Sequence, residues 1–124
     1  MAGLSISETT TFRWSFEQDV REYATAGISG IGIWRHKLSE CGLTKAKELL
    51  QECGLKPSHL FWAGGFTGSD GRSYRESIED ALEAVRSAAA LHCPNLVLYS
   101  GPRAGHTANH AKRLFLDALR ELVP

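Results

Sequence analysis

The stretch from Asn95 to His110 sets the pattern that most constrains this chain. Its short apolar run, Leu96-Val97-Leu98-Tyr99, shows no polar alternation, as expected of a strand buried on both faces. A glycine-flanked loop carrying Arg103 and His106 follows, and Thr107 then caps a helix. Strand, polar glycine loop and helix form the unit from which parallel α/β proteins build ligand sites at the carboxyl ends of their strands. That unit occurs four times.

The first strand is read from Leu4 to Thr11. Ser15 with Gln18 three residues later makes a capping box, and Phe16, Val20, Tyr23 and Ala24 share one helix face. Gly27 ends that helix. Ile28 to Trp34 is the second strand, with Gly30 and Gly32 leaving room for a close neighbour. Arg35-His36-Lys37 reads as a polar mouth, and Thr44 as the cap of a second helix with Ala46, Leu49, Leu50 and Cys53 inward and Gly54 as its stop. Pro57 to Phe66 is the third strand and its exit. Ser73 with Glu76 opens a third helix whose inner face holds Tyr74, Ile78, Ala81, Leu82, Val85 and Ala88. The fourth helix repeats Ala111, Leu114, Phe115, Ala118, Leu119 and Leu122. The order β-α-β-α-β-α-β-α predicts parallel strands, right-handed crossovers and outer helices, within a single domain over 1–124.

Composition narrows the function classes. Fourteen basic and fourteen acidic residues balance, and no run of like charge offers a footprint for nucleic acid or an anionic membrane. No apolar stretch approaches a membrane span. Cys41, Cys53 and Cys93 are odd in number without CxxC spacing, which suggests reduced thiols in a cytoplasmic protein.

Four phrases together carry a resemblance: Thr9 to Phe16, Ala26 to Arg35, Trp62 to Thr67, and Ser100 to Thr107. They resemble the sugar phosphate isomerase/epimerase family of the xylose-isomerase-like TIM barrel superfamily, which also includes endonuclease IV. The resemblance implies a (β/α)8 enzyme. It would use a divalent metal to move a proton or hydride between adjacent carbons of a sugar or sugar phosphate. Such a barrel takes about 250 residues and eight strands, so the likeness covers the N-terminal half only. The family's metal ligands sit mostly on later strands, and this chain alone does not complete the set. Four parallel strands also leave two open edges and an uncovered inner face. Self-association is therefore expected, a dimer favoured, with strand one of each copy beside strand four of the other. The alternatives are a non-catalytic half-barrel interaction module or truncated fragment, and an endonuclease IV-like phosphodiesterase.

By position, the pocket-facing candidates are Glu8, Thr10, Trp34, His36, Lys37, Trp62, Phe66, Asp70, Tyr99, Arg103 and His106. The expected substrate contacts among them are Trp34, His36, Trp62, Phe66, Tyr99, Arg103 and His106. Trp34 and Trp62 either stack on a sugar or fill the barrel core, and Arg103 suits a phosphate or carboxylate. His106 and His110 have the i, i+4 spacing of a metal pair, but the glutamate of HExxH and a third ligand are missing. The expectation is a pocket-facing His106 and a local contact for His110. The glycine loop 101–105 before a helix could bind an anion, a weak signal on its own.

Overall fold

The computed structural model describes residues 3–123. Its elements are β1 (Ser5–Ser7), α1 (Phe16–Thr25), β2 (Gly30–Trp34), α2 (Arg35–Cys41), α3 (Leu43–Cys53), β3 (Lys56–Gly64), α4 (Tyr74–Ala90), β4 (Leu96–Tyr99) and α5 (Ala108–Leu122). The strands pair in the order β1-β2-β3-β4, all parallel. Consecutive parallel strands joined through helices give half of a TIM barrel, with β1 and β4 as its edges.

Both capping boxes form. Ser15 Oγ accepts from Gln18 N at 3.1 Å and Gln18 Oε1 accepts from Ser15 N at 3.0 Å, while Ser73 and Glu76 repeat the exchange at 3.1 Å each way. Gly54 closes α3 in the left-handed conformation, and Thr107 Oγ1 accepts from His110 N to start α5.

The core lies between the sheet and its helices. Ile31, Ile33 and Leu60 meet Phe16, Val20 and Tyr23 of α1 and Leu49 and Leu50 of α3. A second cluster joins Ala63 and Phe66 to Ile78, Ala81 and Ala84 of α4 and Ala118 and Leu122 of α5. On the opposite side of β2 the glycines matter. A Cβ on Gly30 would lie 2.9 Å from Ser5 Cβ, and one on Gly32 would lie 2.4 Å from the His59 ring. Their bareness lets Ser5 Oγ of β1 and Ser58 Oγ of β3 meet at 2.6 Å across the strand between them. Side chains from alternate strands sharing one layer is how a TIM barrel fills its interior.

Several expectations need correction. The first strand is only three residues long, because the chain turns away after Ser7. Arg35 to Cys41 is a helix rather than a loop, so the order gains an element. Gly42, at φ 91°, separates it from α3, and Thr44 lies inside α3 instead of capping it. A tertiary ion pair draws this segment in: the two terminal guanidinium nitrogens of Arg35, Nη1 and Nη2, donate to the Asp80 carboxylate at 2.9 and 3.0 Å. On α4 the buried position is Ala84, while Val85 is 40% exposed. β4 is not buried on both faces, since Leu96 and Leu98 meet the helices but Val97 and Tyr99 are exposed on the side of the sheet that no helix covers.

Candidate functional site at the carboxyl ends of the strands

Strand ends place the candidate residues in three groups. At the end of β2 the Trp34 ring stacks on Phe12, with centroids 5.9 Å apart and planes 27° from parallel. His36 lies 5.2 Å away by centroid. Its Nε2 is 2.9 Å from Glu40 Oε1 one turn along α2, so an exposed local pair holds the imidazole. Phe12, Trp14, Trp34 and His36 line one groove.

The second group comes from β3 and β4. Trp62 and Tyr99 meet edge to face at 6.2 Å and, with Val97, line a shallow concavity on the uncovered side of the sheet. Gly64 lets Tyr99 approach: a Cβ there would sit 2.0 Å from Tyr99 O, and its φ of +126° already favours glycine. Trp62 is half exposed, so it is not packed as core in this chain.

The third group is the loop after β4. Arg103 is exposed and has no ion-pair partner among the described residues. His106 Nε2 lies 3.0 Å from Thr67 O. A carbonyl only accepts, so this bond assigns the proton to Nε2 and leaves Nδ1 of the neutral ring as an acceptor. The His110 ring lies near it, with centroids 4.8 Å apart and planes tilted by 60°, and is otherwise a first-turn residue of α5. Among the described residues no three His, Cys, Asp or Glu side chains group to hold a metal ion. A divalent metal therefore does not fit the residues of this half alone.

Phe66 is the clear misplacement among the expected contacts. Gly64 and Gly65, both at positive φ, turn the chain back under the sheet. Phe66 is thereby 1% exposed and packs near Tyr74 and Phe115, at 6.4 and 6.1 Å by centroid. Asp70 is also turned from the pocket, since its carboxylate holds Arg72 Nε at 2.7 Å, with Arg72 reaching Gly64 O at 3.1 Å.

Glu8 and Lys37 were expected in the pocket and instead form a buried polar cluster behind it. Lys37 Nζ donates to Glu8 O at 2.9 Å, Thr11 O at 2.8 Å and Asp19 Oδ2 at 2.7 Å. Asp19 is fully buried and also accepts from the Thr11 hydroxyl, which Tyr23 Oη approaches in turn. Glu8 Oε1 accepts from Trp34 N at 3.0 Å, tying this cluster to the site, while its Oε2 is buried without a partner. The chain did carry a signal for this. Asp19 falls on the apolar stripe of α1 beside Phe16, Val20 and Tyr23, where a carboxylate needs a buried cation.

Burial and the neighbouring Asp19 carboxylate push the Glu8 carboxyl up to about 9, so it is neutral at pH 7. Its folded value lies above the ordinary 4.5. Its contribution to stability is thus complete below about pH 4.5 and is lost as pH rises toward about 9. Glu8→Gln, neutral at every pH, is expected to flatten that decline and to unfold later than wild type at pH 8. Thermal melts across this range check it, and an unchanged slope in the variant would place the titration elsewhere.

Another concavity lies at the other end of the sheet. It is lined by Leu50, Leu55, Pro57, Leu91 and Pro94, with Lys47, Gln51, Lys56 and His92 also on its wall. The strand-end groups are the better candidate because ligand sites of parallel α/β folds lie at the carboxyl ends of the strands.

Comparison with known proteins agrees with this geometry. Residues 20–124 match the family model described as xylose isomerase-like TIM barrel. A protein of Sinorhizobium meliloti 1021 superposes with a TM-score of 0.86 at 29% identity, over 98% of this chain and 46% of that one. A family 2 AP endonuclease from Brucella melitensis gives 0.78 at 19% identity, over 98% and 50%. A xylose isomerase-like TIM barrel/4-hydroxyphenylpyruvate dioxygenase fusion protein gives 0.75 at 19%, over 98% and 20%. The chain thus spans half or less of the length of each. Among curated proteins nothing matches it. With its sheet order, strand-end site and family match in agreement, the chain belongs to the xylose isomerase-like TIM barrel family.

Proposed function

We propose that this chain supplies the first four strands' share of a sugar or sugar phosphate isomerase/epimerase site. One observation carries the reading: Trp34, Trp62 and Tyr99 stand at the ends of three successive strands, each partly open toward the barrel side. Large rings with an apolar face and a polar tip suit the C–H face of a sugar while leaving its hydroxyls free. Arg103 offers a fork for a phosphate or carboxylate at one end of the substrate. His106 Nδ1 accepts from a hydroxyl, with Thr67 O fixing the ring.

These residues bind and orient. The group that takes a proton from the carbon beside the carbonyl is not among them, and it falls to the other half of the barrel. The divalent metal that the resemblance implies would be held there too, because this half groups no three donors. The phosphodiesterase alternative draws no support from a chain of zero net charge.

The test is binding. Aldoses and ketoses, with and without a terminal phosphate, are titrated into the chain and followed by tryptophan fluorescence. Saturable binding is expected for one group of sugars. Trp62→Ala is expected to weaken binding of that group about tenfold, on the order of 1 kcal/mol of lost stacking. Failure of every sugar to bind overturns the reading.

A further inference from the structure

We infer that the concavity at the amino ends of the strands is a second binding site, for a small molecule with an apolar body and a single carboxylate. It stands apart from the strand-end groups and does not rest on the proposed function.

Its walls are interior elements of the fold. They come from the last turns of α3, the first residues of β3 and the turn that follows α4. β3 has β2 on one side and β4 on the other, and Pro57 pairs with the buried Ile31, so neither a sheet edge nor the uncovered face forms this hollow. Its floor is Leu50, Leu55 and Leu91, each 5% exposed and a member of the core cluster around Ile31 and Leu60. The volume is about 420 Å³. Small-molecule sites span roughly 300–1,000 Å³ and are mostly apolar with a few polar groups that fix orientation.

The charged groups on this wall are of one sign. Lys47 and Lys56 stand there with His92 and Gln51, and no carboxylate joins them. In a chain whose acidic and basic residues balance, that is a local excess. Neither lysine forms an ion pair among the described residues. Nor are these side chains needed to close the helices. The carbonyls of Leu50 and Gln51 at the end of α3 accept from the backbone of Leu55 and Gly54, and those of Ala88 and Ala89 at the end of α4 accept from Cys93 and His92.

His92 carries the second observation. It holds φ at 55°, the left-handed position directly after the Leu91 cap of α4. Glycine makes such a turn without strain, and α3 ends in that way at Gly54, with φ at 71°. At the corresponding point after α4 a histidine takes the strained conformation and sets its imidazole on the wall. Strain kept at a residue that lines a cavity points to a use for its side chain. An apolar acid answers both halves of the hollow: its body covers the leucines, and its carboxylate accepts from Lys47, Lys56, His92 and Gln51. A neutral apolar molecule would leave the cations unused, and an inorganic anion would leave the floor bare.

Decanoate, kept below the concentration at which it forms micelles, is the probe, followed by titration calorimetry and by amide NMR shifts. Saturable one-to-one binding is expected, with the shifts confined to residues 47–57 and 90–94. Decan-1-ol and acetate, each keeping one half of the chemistry, are expected to bind about tenfold more weakly or worse. Lys47→Met with Lys56→Met keeps the apolar wall and removes both charges, and should also weaken decanoate about tenfold. His92→Gly relaxes the turn, so it is expected to hold or raise the melting temperature while weakening decanoate several-fold. Decanoate that fails to saturate, or that shifts amides elsewhere, overturns the inference. So does decan-1-ol binding as tightly as decanoate, or either variant binding decanoate as the wild type does. The sugar titration reads the opposite end of the sheet, so failure at one site leaves the other standing.

Discussion

Lys37→Met is expected to cost about 3–5 kcal/mol of folding stability, the range for removing one partner of a buried pair. The magnitude follows from how completely the ammonium is used. Its three donors meet two backbone carbonyls, of Glu8 and Thr11, and the Asp19 carboxylate, and Lys37 is 4% exposed. Methionine keeps most of the stem but leaves Asp19 charged, fully buried and without its cation. Replacing both members, Lys37→Met with Asp19→Leu, is expected to recover much of the loss, because the isolated charge is then gone. Urea unfolding of the two variants measures both numbers. A single-variant cost below about 1 kcal/mol would mean that water reaches Asp19 when the lysine is absent. Trp34 would report the same event, since Glu8 Oε1 holds its backbone N–H at 3.0 Å.

Phe66→Ala is expected to cost about 3–5 kcal/mol as well, through a cavity where α4 and α5 meet the sheet. Phe66 is 1% exposed among Ile78, Ala81, Ala118 and Phe115. Alanines on both helices cannot swell to fill the space that a lost benzyl leaves. The sequence placed this residue in the pocket, and the two locations make opposite predictions. A core position loses stability while sugar binding by the folded fraction is unchanged. A pocket position would lose binding at nearly constant stability. Denaturation and sugar titration on one preparation decide between them.

The comparison of Phe66 with Trp62 shows why the site was only partly legible. Both are large aromatics near the end of the same strand, and nothing in their spacing separates them. The difference arises at Gly64 and Gly65, whose positive φ angles reverse the chain after β3. Glycine announces that such a turn is permitted, not which way the next side chain will point. Lys37 is a similar case. A lysine following an arginine and a histidine reads as part of a polar mouth, and only the position of Asp19 on the facing helix draws it inward. Asp19 itself stood out on an apolar stripe, but the stripe could not name its partner.

What the amino-acid order determined by itself was local and periodic: four strand–loop–helix units, two capping boxes, Gly54 as a stop, Thr107 as a start and the parallel order of the sheet. Those features depend on residues within a few positions of one another, whose propensities add without knowledge of the fold. Only the tertiary structure decided that Arg35 to Cys41 coils into a helix, that Glu8 and Lys37 turn behind the site, and that Val97 is left exposed on the uncovered face of the sheet. These outcomes hang on contacts such as Arg35 with Asp80 and Lys37 with Asp19, between residues far apart along the chain. A charge or a ring has its role fixed by what lies across from it, and that neighbour is chosen by the packing of whole elements rather than by sequence spacing.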